Sequence, residues 1–498
     1  MRRLALTLLL AAPLAAQGPR PDPEAIARAV DSLASRIVAA GLTPGLGVAI
    51  VMDGKAVFFK AYGFADVTKR TPADARTLWY LASTTKSYTG FGISLLAHQG
   101  VLRLDQSIAS LLPGTIWHAG VDPNQLTPAQ FLSHTHHLND NAIVQSAAFT
   151  GEIPEARWPG LLRLAAPSGN SDLVYSNFGY NVAAMVIDVQ RREGWRRFLD
   201  SAVNAPAGLR ETYTRLSGLD PARIAVPHTL KADGSYAAAP FFKTDATMNS
   251  AGGHVATLTD LVRWTLVQMD GGMLDGKRVF PAEAVALSHR MLAPHTVAQS
   301  KRFAYFDREG WGAGWDIGSY DGEPMMSRFG SYHTTRSHLS WLPRRRIGVV
   351  AQVNGRPGWN ATDLIAAYAY DFEAGKLNAR ETMERRLQEL ITPLAPALRQ
   401  IAATDSIRAS RQRPLPRPLS DYTGSFVHEV YGTATFSERD GRLTFRWGAL
   451  HSPVEVFDAA NNIVRVELVG SGTTVLFRFD AAGPARAIEL QGLTFTRK

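Results

Sequence analysis

Ser83 and Lys86 lie three residues apart in Trp79-Tyr-Leu-Ala-Ser83-Thr-Thr-Lys86-Ser-Tyr-Thr-Gly90. Residues i and i+3 share a helix face, so a helix opening at Ser83 sets an amine beside a hydroxyl. Ile93, Leu95, Leu96 and Ala97 carry an apolar pattern on to Gly100, a helix stop. Unpaired N–H groups and partial positive charge at the helix start favour an oxyanion at or beside Ser83. A partly desolvated lysine in that first turn has a lowered pKa and can act as base. The same letters also describe an N-cap serine followed by a solvated lysine.

A second basic group is available in Tyr175-Ser176-Asn177, which follows a loop over 167–172 and precedes an apolar helix from Val182. A free phenol is ionised to only about one part in a thousand at neutral pH. A lysine ammonium within hydrogen-bond reach lowers its pKa by roughly 1–3 units and orients it. Asn177 is placed to hold the lysine or a substrate carbonyl. The competing readings are a half-buried loop tyrosine and a helix-capping asparagine.

The elements that must position these groups are legible in outline. Residues 23–41 read as an amphipathic helix, and Gly45–Met52, Asp53-Gly54 and Lys55-Ala-Val-Phe-Phe-Lys60 as a β-hairpin. With the Ser83 helix next, this predicts an α/β sandwich, with a helical lobe over residues 105–245. A further helix opens after Gly252-Gly253, capped by Thr259 or Asp260. Strand patterns return at 314–317, 337–342 and 347–353 and should close one core with the N-terminal hairpin. Residues 378–410 are charged and helix-prone, and Arg413-Pro-Leu-Pro-Arg-Pro418 is a stiff linker. Beyond it, alternating short strands predict a small antiparallel β domain, closed or nearly so. The domain reading is a signal peptide at 1–16, a hydrolase-like domain at 23–376, a helical and Pro-rich linker at 377–418 and a β domain at 419–498.

Composition bounds the function classes. The 498 residues suit more than one domain, and 45% hydrophobic with 19% charged residues is a globular balance. The segment MRRLALTLLLAAPLAAQGPR has the charged start, apolar run and small-residue site of a secretory signal, and it is too short to span a bilayer. It predicts export to the periplasm or medium, and no transmembrane segment is expected. The chain has no cysteine, which excludes disulfides, thiolate nucleophiles and cysteine metal sites. Its net charge of +9 is scattered without an aromatic-interleaved basic stripe, which argues against nucleic acid. His134-Thr-His136-His137-Leu-Asn-Asp140 invites a metal reading, yet no HExxH helix accompanies it. Loop histidines or a reshaped pocket wall are expected instead, with no metal and no cofactor. Trp311-Gly-Ala-Gly-Trp315 is read as core and turn.

Ser83-x-x-Lys86 followed by Tyr175-x-Asn177 resembles the serine β-lactamase-related hydrolases of the class C type, a family that includes D-alanyl-D-alanine carboxypeptidases and esterases. The segments beginning at Leu81, His98, Leu126, Tyr175 and Ala251 resemble family segments in order, over about residues 25–375. The resemblance implies a transpeptidase-like antiparallel sheet flanked by helices, plus a helical lobe. It also implies a third motif on a strand beside the serine, which counting back from Arg336 places at Arg328-Phe329-Gly330. Arginine keeps the family's positive charge but differs from lysine in shape and proton chemistry. On this alignment Ser331 N–H completes an oxyanion hole with Ser83 N–H, and Asn177, Arg328 and Gly330 line the substrate site. The rival alignment on His333-Thr334-Thr335 lacks the glycine. Residues 419–498 resemble a β module often appended to such hydrolases.

The expected function is therefore an exported serine hydrolase. Ser83 is its nucleophile, Lys86 and Tyr175 its proton-handling pair, and a small ester, D-amino-acid peptide or related amide its substrate. A β-lactamase, or a non-catalytic binder of cell-wall fragments on the same scaffold, are the alternatives. Substrate and oligomeric state are not legible.

Overall fold

The computed structural model describes residues 20–139, 141–169, 172–300, 305–411, 414–481 and 483–498. The signal-peptide reading at 1–16, Asp140 and Arg413 fall outside the described residues.

Gly45–Met52 is buried along its whole length, and its side chains alternate between two cores. Leu46, Val48, Ile50 and Met52 join the cluster beneath the helices Pro23–Ala39, Trp359–Glu373 and Ala379–Ile391. Ala49 and Val51 face the larger cluster shared with the helical lobe. This strand pairs antiparallel with Lys55–Asp66 on one side and Ile347–Val353 on the other, so both ends of the segment close one sheet. Outward from Ile347–Val353 lie Thr335–Leu342, Glu323–Tyr332, Asp316–Tyr320, Asp307–Trp311 and Ala293–Pro294. With Thr71–Pro72 at the far edge the sheet has nine strands among the described residues, the large antiparallel sheet flanked by helices that the resemblance implies. The N-terminal helix starts where its sequence directs: Pro23 occupies the first turn and the Asp22 carboxylate accepts from Ala25 N–H.

One boundary differs from the sequence reading. Ala379–Ile391, grouped there with the linker, buries Met383 and Leu387 in the core cluster of the first domain. Its charged residues conceal the narrow apolar stripe that docks it. Leu394–Ser410, by contrast, has no buried residue.

The C-terminal domain is an eight-stranded closed barrel from Gly424–His428 to Leu493–Arg497. Closure removes the unpaired strand edges. Its interior is filled by Tyr422, Phe426, Phe436, Phe445, Trp447, Phe477 and Phe495. The barrel rests on the helical lobe: Ala449 N–H donates to the Thr150 carbonyl at 2.7 Å, and Thr433 N–H to the Glu152 carboxylate at 3.0 Å. No described helix is long and apolar enough to cross a membrane.

Candidate functional site

Ser83 sits in the single 3-10 turn Ala82–Thr84 that leads into the helix Thr85–His98. Its neighbour Ala82 has φ +47°, a left-handed conformation that costs a non-glycine residue about 1–2 kcal/mol. Such strain persists only where surrounding structure holds it, and here it lies one residue before the hydroxyl. Ser83 does not cap the helix through its side chain. The hydroxyl is free for other work.

Lys86 is fully buried within the first turn. Its Nζ donates to Ser83 Oγ at 3.2 Å, Asn177 Oδ1 at 2.6 Å and the Ala251 carbonyl at 2.8 Å. Burial pushes its pKa down to about 8, the Arg328 charge adds to the fall and Tyr175 opposes it. The Tyr175 hydroxyl donates to Ser83 Oγ at 2.7 Å and accepts from Arg328 Nη2 at 3.1 Å. The residue as a whole is 45% exposed, while its oxygen end is enclosed by Ser83, Lys86 and Arg328. Burial of that end alone would raise the phenol, but the Lys86 and Arg328 cations outweigh it and hold Tyr175 at about 8. Residues 92 positions apart thus meet on one oxygen.

Arg328 is 2% exposed, and all three of its nitrogens are occupied. Nε donates to the Ser83 carbonyl at 2.9 Å, Nη1 lies 3.4 Å from Asp316 Oδ2 and Nη2 holds Tyr175. The sequence reading gave Arg328 to the substrate; its three contacts tie it to Tyr175 and to the Ser83 turn, while it also lines the cavity beside Ser83 with two of its five N–H donors left over. Gly330, two residues on, passes so close that a Cβ there would lie 1.9 Å from the Leu81 carbonyl and 2.8 Å from Ser83 N. Only glycine permits that approach. It sets Ser331 beside Ser83, and both residues line the two cavities that meet there.

One cavity, about 300 Å³, is lined by Tyr175, Trp311, Arg308, Arg328, Arg336 and His295 among others. The other, about 210 Å³, is lined by Asn177, Gly252, Lys243, Phe149 and Tyr332, together with Val469 from the barrel. Trp311 corrects the expectation for its segment. Its ring stands 4.9 Å from the Arg328 guanidinium and 5.7 Å from the Tyr175 ring, so it is a site wall, while Trp315 is core. Gly314, with φ +90°, lets this segment lie against the helix, where a Cβ would come 2.2 Å from the Lys86 carbonyl.

The histidine stretch supports the site from behind. His134 Nδ1 accepts from Ser176 N–H at 3.2 Å, and its ring packs 4.6 Å from Tyr175. Burial, then the Lys86 and Arg328 charges, hold it well below the ordinary histidine range, so it is neutral. His136 Nδ1 accepts from Leu138 N–H, and burial lowers its pKa to about 4. No cluster of three metal-ligating side chains occurs among the described residues. Lys243, Trp311, Asp316 and Val469 were missed in sequence; each is a lone residue that only the fold brings near Ser83.

A second serine lies in a relay of familiar order: Ser340 Oγ to His338 Nε2 at 2.7 Å, and His338 Nδ1 to Asp363 at 2.9 Å. Ser340 and His338 are 0% exposed, and neither lines a cavity described here.

Comparisons with known proteins follow the same lines. Residues 30–371 match the family model described as Beta-lactamase. "Penicillin-binding protein 4" of Amycolatopsis lactamdurans is 25% identical over 324 residues, covering 63% of this chain and 81% of that protein. "Protein flp" of Staphylococcus aureus is 21% identical over 335 residues, covering 65% of this chain and 62% of that protein, so the chain spans less than two thirds of that relative. The octameric penicillin-binding protein homologue from Pyrococcus abyssi superposes with a TM-score of 0.59 at 17% identity over 94% of this chain and 99% of the other, a likeness of fold. With more than half of its length matched by the family model, the chain belongs to the beta-lactamase family.

Proposed function

We propose that this protein is an exported serine hydrolase that works through an acyl-enzyme on small esters or D-amino-acid peptides. The observation that carries the reading is the meeting of Lys86 Nζ and the Tyr175 hydroxyl on Ser83 Oγ, at 3.2 and 2.7 Å. Ser83 Oγ forms a bond to the substrate carbonyl carbon while its proton passes to the Lys86–Tyr175 pair. The carbonyl oxygen becomes an oxyanion, held by the N–H groups of Ser83 and Ser331, each donor contributing on the order of 10²–10³ in rate. The carbon–heteroatom bond then breaks, and Tyr175 returns the proton to the leaving group. Water repeats the sequence in reverse roles, ending with Ser83 reprotonated. Asn177 holds Lys86 in place, and Arg328 keeps the phenol oriented and acidic.

The leaving group must lie within reach of Tyr175, which assigns it the cavity lined by Tyr175 and Trp311; the acyl group takes the cavity beside Asn177. A pure binding protein has no need of a buried amine and a phenol on one serine oxygen, so the binding alternative is set second. Arginine in place of lysine in the third motif differs in shape and proton chemistry, which argues against a dedicated β-lactamase. Export rests on the charged and apolar start of the chain, with which its lack of cysteine is compatible.

The test is a turnover panel of a nitrophenyl ester, a D-Ala-D-Ala peptide and a chromogenic cephalosporin, each run with wild type and Ser83→Ala. Turnover of the ester or the peptide, lost in the variant, is expected. Cephalosporin turnover dominating the panel would favour the β-lactamase reading, and binding without any turnover would favour the binding protein.

A further inference from the structure

Lys243 is 5% exposed and lines the same cavity as Ser83. Its Nζ donates to the Ala148 carbonyl, and it pairs with no carboxylate among the described residues. Three aromatic rings surround the ammonium, Tyr332 at 3.9 Å, Phe149 at 5.8 Å and Tyr80 at 5.9 Å. Burying a cation without a counter-charge costs several kcal/mol, and a methionine would fill the same space without that cost. The neighbouring Lys86 is a second buried cation and aggravates the burial. Burial, then the Lys86 charge, push the Lys243 pKa down to about 7. An anion entering the cavity would relieve both effects.

We infer that the cavity of Lys243 is a carboxylate-recognition subsite, and that the acyl half of the substrate carries a free carboxylate at its far end. This rests on the acyl-enzyme reading above, because the assignment of the cavity to the acyl group follows from Tyr175 serving the leaving group. The dimensions fit: about 210 Å³ is roughly seven water volumes, enough for a succinyl or glutaryl chain. The walls suit a methylene chain, because Phe149, Tyr80, Tyr332 and Val469 of the barrel all line the cavity. The carbonyl carbon then sits at Ser83, the methylenes cross the aromatic rings and the carboxylate reaches Lys243. The Ala148 hydrogen bond fixes the amine without neutralising it.

The experiment compares two nitrophenyl esters of matched length, the glutarate monoester and the neutral pentanoate, on the full chain. Rates are expressed per active site titrated by a fluorophosphonate, so a poorly folded fraction does not count. Wild type is expected to prefer the glutarate ester in kcat/KM by at least tenfold. In Lys243→Met the glutarate-to-pentanoate ratio should fall by at least tenfold, and Lys243→Arg should recover part of it. A wild type without preference for the anionic ester, or a ratio unchanged in Lys243→Met, overturns the subsite while Ser83-dependent hydrolysis of the pentanoate leaves the acyl-enzyme reading standing. Failure to turn over either ester in a Ser83-dependent way overturns both. If Lys243→Met yields too little titratable enzyme, Lys243→Gln carries the same ratio test.

Discussion

Two serines in this molecule stand in hydrogen-bonded chains that look alike on paper. Ser340 has a histidine and an aspartate behind it, the order that serves nucleophilic catalysis in other folds. Ser83 has a lysine and a tyrosine. The difference lies in what surrounds them. Ser340 is sealed at 0% exposure, its hydroxyl shared with the Tyr370 phenol at 2.6 Å, and Asp363 is spent on Arg336 through contacts of 3.0 and 2.8 Å. Ser83 is partly exposed and opens onto two cavities, with two cations depressing the phenol that meets it. A nucleophile needs access and a base near neutrality; a relay without access is a polar tie between strand and helix.

The largest effect expected from this contrast is on rate. Ser83→Ala should lower kcat/KM for a nitrophenyl ester by at least about 10⁴-fold. Ser340→Ala should leave that value within about threefold, because nothing reacts there, while lowering stability by about 1–3 kcal/mol for the partners left unsatisfied. Next, Lys86→Met and Tyr175→Phe should each reduce kcat by about 10²–10⁴-fold. The double variant should lose little more than either single one, since the two groups act as a unit.

On the sealed side, Asp363→Asn should cost about 1.5–3 kcal/mol in urea unfolding, because it takes a charged partner from Arg336, whose side chain is 11% exposed at the cavity edge, and from His338. Burial alone would raise the Asp363 carboxyl, but Arg336 and then His338 outweigh it and hold it below the ordinary carboxylate range. A depressed carboxylate contributes stability that is present above the unfolded pKa of 3.8 and is lost as pH falls through the folded value. The two regions therefore respond to acid in different windows. The Lys86–Tyr175 pair, with both groups at about 8, takes up a proton as pH falls through that range, so activity is near half-maximal at about pH 8, rises above it and falls below it. Stability through Asp363 begins to fall as pH drops toward the unfolded carboxylate value of 3.8 and is gone below the depressed folded one. Circular dichroism and initial rates over one pH series separate the two. The smallest shift is that of Arg328→Met: removing one cation from the phenol should move the acid limb of kcat/KM upward by about 1 unit or more.

How much of this was legible follows from separation along the chain. The Ser83–Lys86 contact is local, so helical spacing alone exposes it. The hairpin of Gly45–Met52 and Lys55–Asp66 announces itself by alternation and an Asp53-Gly54 turn, and its pairing with Ile347–Val353 follows from burial on both faces. Tyr175 could be offered from its residue type only as one of two readings, and Arg328 needed a family resemblance, because nothing local marks a loop tyrosine or a strand arginine as near a distant serine. The occupation of all the Arg328 nitrogens, the wall made by Trp311 and the reach of Val469 from the barrel depend on packing between segments hundreds of residues apart. Lys243 follows Phe241 and Phe242 with no periodic signature, and only its enclosure distinguishes it from a surface lysine. The helix Ala379–Ile391 was misgrouped because three buried residues in thirteen leave a composition that reads as solvated.

The most direct test of the account is where a fluorophosphonate attaches. Treating wild type, Ser83→Ala and Ser340→Ala with the probe at pH 8, then mapping the adduct by peptide mass spectrometry, should give one modified residue, Ser83, in wild type and in Ser340→Ala, and none in Ser83→Ala. An adduct on Ser340, or equal labelling of the Ser83→Ala variant, would contradict it.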